Sequence, residues 1–428
     1  MERITAPTFK NIEQVNLLNP HEERLDNGIA LFAFEACEQD LVRIEWVFNN
    51  ISFDHLVNPV LNMGLAGMLL EGTKQHSSAE IAEKIDFYGA FLQPEYSFDH
   101  TALTLYVLHK HINHVLPLIK EILIDSIFPA HELDTYIRNN KQNLSVSLKK
   151  NDFIARRTFN QAIFGSGRYG FSPELNDYDT LCREDLQRLY THQICPSQCT
   201  IYIAGKVTSE TISSINRLFG QAWKDEPIVD VSTYAIPQVN TEDKVILIKK
   251  PDALQSAIRI GCASINRAHP DFSALQLVNT ILGGYFGSRL MTNIREEKGY
   301  TYGIGSGIGA LKHGAFFTIA TEVGVSVTQE TLTEIESEIN RLRTSPIENE
   351  ELDLVKNYIG GTFLGSLENV FSHVDKFKNV HTVGLDLTYY KNHLDVIKRS
   401  TADDILAIAN KYLDYKKMVK VVVGRLEY

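Results

Sequence analysis

The most constraining feature of this 428-residue chain is that it repeats itself. Two stretches of about 200 residues carry the same order of secondary-structure signals, and a chain built that way folds as two like units. In the first, strand-like runs Ile29–Ala36 and Leu41–Phe48 precede an apolar helix over about Asn58–Leu70. Leu41–Phe48 alternates apolar and polar residues through much of its length, which is the period of a strand. After a polar break at Glu71–Gln75, a second helix starts near Ser78, which is placed to cap it ahead of Ala79-Glu80-Ile81. Strands Ala90–Glu95 and Thr101–Leu108 flank the next turn, and helical patterns fill 112–150.

The second stretch runs the same course. Strands at Lys244–Lys249 and Ser256–Ala263 lead to helices at Asp271–Leu282 and Ser288–Glu297. Strands at Tyr300–Gly305 and Ala315–Thr321, helices at Thr328–Arg343 and from Glu348, and a closing strand at Met418–Val423 complete it. Paired strands alternating with amphipathic helices predict an α+β fold of two homologous halves, each a mixed or antiparallel sheet with helices on one face. The join falls in the polar, proline-containing stretch 222–243. The expected domains are therefore 1–225 and 240–428, with a linker at 226–239. Halves joined in this way predict a clamshell around a chamber, and such junctions favour ligand sites.

Charge and composition narrow the function. Apolar residues make up 44% and charged residues 22%, an ordinary globular balance. No apolar run is long enough for a transmembrane helix. The start, MERITAPTFKNIEQ, lacks the apolar core and cleavage site of a secretory signal. A cytoplasmic chain is expected, or a periplasmic one where a leader has been removed. The net charge of −11 argues against nucleic-acid and anionic-membrane partners and mildly favours neutral or basic ones. Five scattered cysteines (Cys37, Cys182, Cys195, Cys199 and Cys262) suit neither a disulfide framework nor a metal site, because the CPSQC pair has no matching second pair.

The segment Gly64-Leu65-Ala66-Gly67-Met68-Leu69-Leu70-Glu71-Gly72-Thr73 resembles the zinc helix of the pitrilysin (M16) peptidases. Active members carry His-x-x-Glu-His there, followed by an apolar stretch and Gly-Thr. The histidines bind zinc and the glutamate is the general base on zinc-bound water. Counted back from Gly72-Thr73, those positions fall on Met63, Ala66 and Gly67. The family's third ligand, a glutamate on a later helix, falls on Asn143. Ligands and base are lost together, so the resemblance implies a chain that binds no zinc itself. The runs EIAEKIDFYGAFL, YGFSPELND and DLQRLYTHQICPSQCTIYIAG extend the resemblance over nearly the whole chain.

The second half keeps a different signature. Arg295 and Tyr302, in IREEKGYTY, resemble a family pair seven positions apart that holds the substrate carbonyl and the oxyanion formed when water attacks. A guanidinium and a phenol suit that role, being strong donors that can be aimed at developing negative charge. Taken alone, Arg295 also suits a surface ion pair and Tyr302 an ordinary strand aromatic. Gly283-Gly284-Tyr285-Phe286-Gly287 precedes the pair. Gly283, Gly284 and Gly287 belong either to a substrate-facing loop, resembling that of the non-catalytic subunit of mitochondrial processing peptidase, or to a helix C-cap. In active members, substrate adds as an extra strand to the segment matching Gln93-Pro94-Glu95. Pro94 has no N–H to offer there.

Other constellations carry less. His109, His111 and His114 sit at a strand-to-helix turn and lack the supporting partners of a metal site. LTEIESEINRLR is a helix with one solvated face. No Walker loop, GxSxG elbow or Cys-x-x-Cys occurs.

The expectation is the non-zinc-binding subunit of a heterodimeric M16 metallopeptidase. A homologous partner brings zinc, the general base and the edge strand, this chain brings Arg295 and Tyr302, and peptides are the substrate. The chain alone is expected to be inactive, with a homodimer open to it in isolation. Two other functions fit the same residues: an inactive scaffold or peptide-binding protein, and a self-sufficient peptidase with a non-standard metal site at 109–114.

Overall fold

A computed structural model describes residues 15–36, 39–51, 60–221, 223 and 244–425. Cys37 and the linker at 226–239 lie outside the described residues. The first half supplies strands β1 (His21–Arg24), β2 (Ala30–Glu35), β3 (Leu41–Asn49), β4 (Phe91–Tyr96), β5 (His100–Leu108) and β6 (Cys199–Gly205). They form one sheet in the order β1-β2-β6-β3-β5-β4. The second half supplies β7 (Val245–Lys249), β8 (Gln255–Ala263), β9 (Thr301–Ala310), β10 (Ala315–Gly324) and β11 (Val419–Gly424), in the order β7-β11-β8-β10-β9. Apart from the extra β1, the two orders are the same. Both sheets are mixed, with β2–β6 and β7–β11 parallel and the other neighbours antiparallel.

Helices of the first half are α1 (Leu61–Met68), α2 (Ser78–Phe87), α3 (Ile112–Asp125), α4 (Ala130–Ser147), α5 (Asn151–Phe164), α6 (Arg183–Gln193) and α7 (Ser209–Ile215). Those of the second are α8 (Phe272–Asn279), α9 (Thr328–Thr344), α10 (Asn349–Gly365), α11 (Val370–His381), α12 (Thr388–Arg399) and α13 (Ala402–Tyr412). The cap of α2 is Ser77, not Ser78. Glu80 stands three residues after Ser77, and the two exchange hydrogen bonds as a capping box. The helix expected at Ser288–Glu297 is a π-helical turn over Met291–Glu297.

Each sheet buries one face against helices of its own half. In the first, Ile44, Trp46, Phe48, Leu103 and Leu105 pack with Leu65, Ile119 and Ile122. In the second, Ile258, Ile260, Phe317 and Ile319 pack with Leu277, Ile335 and Ile339. The opposite faces are covered by exchange. Helix α5 of the first half lays Ala155, Phe159 and Ile163 on Ala257, Val419, Val421 and Val423 of the second sheet. Helix α11 of the second half lays Val374 and Phe377 on Phe32, Phe34, Tyr202 and Ala204 of the first. Burial on both faces explains the unbroken apolar runs of the central strands, such as Val421-Val422-Val423.

Ion pairs fix both exchanged helices at equivalent places. Arg43 of β3 grips both carboxylate oxygens of Asp375 on α11, at 2.6 and 3.3 Å, and Lys378 meets the buried Glu45. Arg259 of β8 meets Asp152 on α5 at 2.8 Å.

Candidate active site

Two places bear on chemistry: the helix that would carry zinc, and the β9 edge of the second sheet. Met63, Ala66 and Gly67 lie on α1, and Asn143 is exposed on α4. The two helices pack together, and Tyr136 of α4 fills the space above Gly67. A Cβ added at Gly67 would stand 2.3 Å from Tyr136 Cε2. Burial pushes the Tyr136 hydroxyl pKa up, so the ring sits there as a neutral filler. Among the described residues no group of three or more His, Cys, Asp or Glu side chains is placed to hold a metal ion. The residues at the family's ligand and base positions do not fit the metal: Met63, Ala66 and Gly67 offer a thioether, a methyl and a hydrogen, with a phenol ring against Gly67, and Asn143 offers only a neutral amide.

The Gly-Thr that follows α1 has a structural use. Thr73 N–H donates to the His76 carbonyl at 2.8 Å, and the Thr73 hydroxyl donates to Glu121 of α3. His76 Nδ1 meets both oxygens of Glu121 at 2.9 and 3.0 Å. This knot ties the break after α1 to α3.

On the second half, sequence order is converted into a stack of side chains. Gly299, at φ +67°, turns the chain from the π-helical turn into β9. The turn is closed by Tyr300 N–H donating to the Ile294 carbonyl at 3.0 Å. Arg295 and Tyr302 thereby stand side by side, with the Arg295 Cζ 5.8 Å from the Tyr302 ring centre. Phe286, from the glycine-rich turn, lies closer still at 4.4 Å. The guanidinium thus lies within cation–π distance of both rings. No carboxylate of the described residues pairs with Arg295, so the ion-pair alternative has no partner here. Tyr302 is 93% exposed and Phe286 63% exposed. Tyr302 lies on β9, the end strand of the second sheet, and Phe286 in the glycine-rich turn beside it.

Neighbouring contacts hold the stack. Ile294 is buried, and Asn293 Nδ2 donates to Glu334 and Glu338 of α9 at 3.0 and 2.9 Å. Arg289 makes a two-pronged pair with Glu351 of α10, both contacts at 2.8 Å. The glycines are spaced for packing. Gly283 is buried, and a Cβ there would lie 2.7 Å from Ser306 of β9, whereas Gly284 and Gly287 are exposed beside Phe286. The spacing in the sequence pairs Arg295 with Tyr302. It gives no sign of Phe286, whose only signal is an aromatic set between glycines.

The remaining candidates fall into structural roles. Tyr88 stacks on His114 at 5.4 Å, with rings 4° from parallel, and also contacts His111. Cys182, Cys195, Cys199 and Cys262 form no disulfide with one another, and burial pushes Cys199 well up and Cys262 to about 12. Pro94 lies on β4, the end strand of the first sheet, opposite Leu103.

Comparison with known proteins places these features. The family model described as Insulinase (Peptidase family M16) matches residues 65–170, and that described as Peptidase M16 inactive domain matches residues 180–359. The chain belongs to the M16 peptidase family. This M16 chain is 25% identical over 345 residues to the uncharacterized zinc protease YmxG of Bacillus subtilis, covering 80% of each. It is 22% identical over 372 residues to the non-peptidase homolog YmxG of Helicobacter pylori, covering 84% of this chain and 83% of that one. The solved M16 inactive domain from Pseudomonas fluorescens superposes with a TM-score of 0.86 at 21% identity, over 96% of this chain and 98% of that one. The M16 fold of two helix-backed sheets is thus shown for this chain.

Proposed function

We propose that this M16 chain is the zinc-lacking subunit of a two-chain peptidase, with residues 1–225 and 240–428 as its two domains. A homologous partner supplies zinc, the general base and the strand on which a peptide lies. This chain supplies Arg295 and Tyr302, and the two chains enclose the chamber. The observation that carries the proposal is the contrast between the two places. The zinc position is filled by Tyr136 against Gly67. The Arg295 guanidinium lies beside the exposed rings of Phe286 and Tyr302, the latter on the end strand of the second sheet. A guanidinium and a phenol presented together can donate to a peptide carbonyl and to the oxyanion that replaces it. The exposed Gly284 and Gly287 let a peptide approach Phe286 closely.

The test is peptide hydrolysis by this chain, by a zinc-bearing M16 relative, and by the two mixed. Hydrolysis should require mixing. Arg295→Ala with Tyr302→Phe should then lower kcat by about 100-fold or more, the typical cost of losing oxyanion donors, while complex formation stays intact. Activity on mixing that ignores the double variant refutes the catalytic role and leaves a scaffold. That second reading draws support from the Helicobacter pylori relative, named a non-peptidase homolog.

A further inference from the structure

A cavity of about 250 Å³ lies at the seam of the two halves. It opens between the tip of the β4–β5 hairpin and the tip of the β9–β10 hairpin, beside the end of α11. Its walls are apolar at Phe98, Leu311 and Val383, and two cations reach it from the second half, Arg267 and Lys312. Neither has a carboxylate partner among the described residues. Lys312 Nζ donates to Asn49 Oδ1 at 3.2 Å, and Arg267 Nη1 donates to the Asn379 carbonyl at 2.9 Å.

Among the described lining residues the one carboxylate is Asp99, and both its oxygens are engaged. Oδ1 accepts from the Tyr169 hydroxyl at 2.7 Å and lies 3.9 Å from Arg168, while Oδ2 accepts the Lys312 backbone N–H at 3.2 Å. The neutral form of His100 is favoured in this lining. Burial first, then the charge of Lys378, pushes its pKa down. In a chain of net charge −11, this cavity sets two cations beside one carboxylate whose oxygens are already engaged.

A lining that sets two cations beside the apolar Phe98, Leu311 and Val383 suits an anion with charge at one end and carbon at the other. A carboxylate presents two oxygens on one side and carbon on the other. We propose that the seam cavity binds a small organic carboxylate, its charge between Lys312 and Arg267 and its short apolar tail against Phe98, Leu311 and Val383. Phe98 belongs to the first half and the two cations to the second, so the ligand joins the halves. This proposal stands whether or not the chain takes part in peptide hydrolysis.

The experiment is calorimetric titration and thermal melting of the full chain with isovalerate, with its neutral analogue isovaleramide, and with inorganic phosphate. Isovalerate should bind and raise Tm as its concentration rises, because a ligand of the folded state stabilises it by mass action. Isovaleramide and phosphate should do neither. Lys312→Gln should weaken isovalerate by about tenfold or more, while Lys312→Arg, which keeps the charge, should stay within about threefold. Equal binding of isovaleramide overturns the charge assignment. Phosphate binding without isovalerate overturns the carboxylate assignment, and failure of all three at millimolar concentration, or indifference to Lys312→Gln, overturns the site.

Discussion

Replacing Phe377 with alanine removes the ring that ties α11 of the second half to the sheet of the first. The side chain is 7% exposed and packs at 4.9 Å from the Phe32 ring, 5.6 Å from Phe34 and 6.1 Å from Tyr202. Truncating a buried Phe costs about 3–5 kcal/mol, from lost transfer energy and the cavity left behind. The size of the Tm shift then reports how the halves are coupled. Unfolding entropy near 2.1 cal/mol/K per residue gives about 0.9 kcal/mol/K for the whole chain. A loss of about 4 kcal/mol therefore lowers Tm by roughly 4–5 °C when both halves melt together, and by roughly 9 °C in one of two transitions when they melt apart. The exchanged helices require the first result. Scanning calorimetry of wild type and Phe377→Ala decides it. A single transition displaced by the smaller amount supports the reasoning. Two transitions with only one displaced, or a loss below about 1 kcal/mol by urea unfolding, refutes it.

Grafting Met63→His, Ala66→Glu, Gly67→His and Asn143→Glu together should leave the chain with well under one zinc per molecule by atomic absorption, because Tyr136 occupies the site. Adding Tyr136→Ala should raise that content. Gly67→His alone should cost about 1–3 kcal/mol by overpacking against that ring, measured by urea unfolding. Stability should fall on acidification. His393 is pushed down to about 4 by burial and by the charges of Arg267 and Lys376, and His373 and His381 move the same way. A histidine depressed in the folded state binds its proton more readily when unfolded. Its contribution, at most about 3 kcal/mol for His393, is thus present above pH 6.5 and lost as pH falls toward 4. Unfolding free energies across that range should lose part of their slope in His393→Asn. Ser77→Ala should cost about 1 kcal/mol by removing the α2 capping box.

The strands with one clear period were legible. Leu41–Phe48 alternates through much of its length, and the strand runs one residue further, Leu41–Asn49. Strand β1, His21–Arg24, was not, because an end strand of four largely exposed polar residues carries no apolar signal. The exchange of α5 and α11 was invisible for a different reason. Phe159 with Ile163, and Val374 with Phe377, show that each helix has a buried side, but not which sheet it lies on. The same limit applies at the site. Spacing pairs Arg295 with Tyr302 through one turn at Gly299. Phe286 joins them only through the fold of the glycine-rich turn, and absent ligands say nothing of the Tyr136 ring that replaced them.

The lending of α11 to the first sheet sets an order of events during synthesis. Strand β6, which completes the first sheet, ends at Gly205, whereas α11 ends at His381. At roughly 5–20 residues per second, on the order of 10–35 seconds separate the two as the chain emerges. A first half that folded before α11 emerged would leave Phe32, Phe34 and Tyr202 without the cover that Val374 and Phe377 give them in the finished fold.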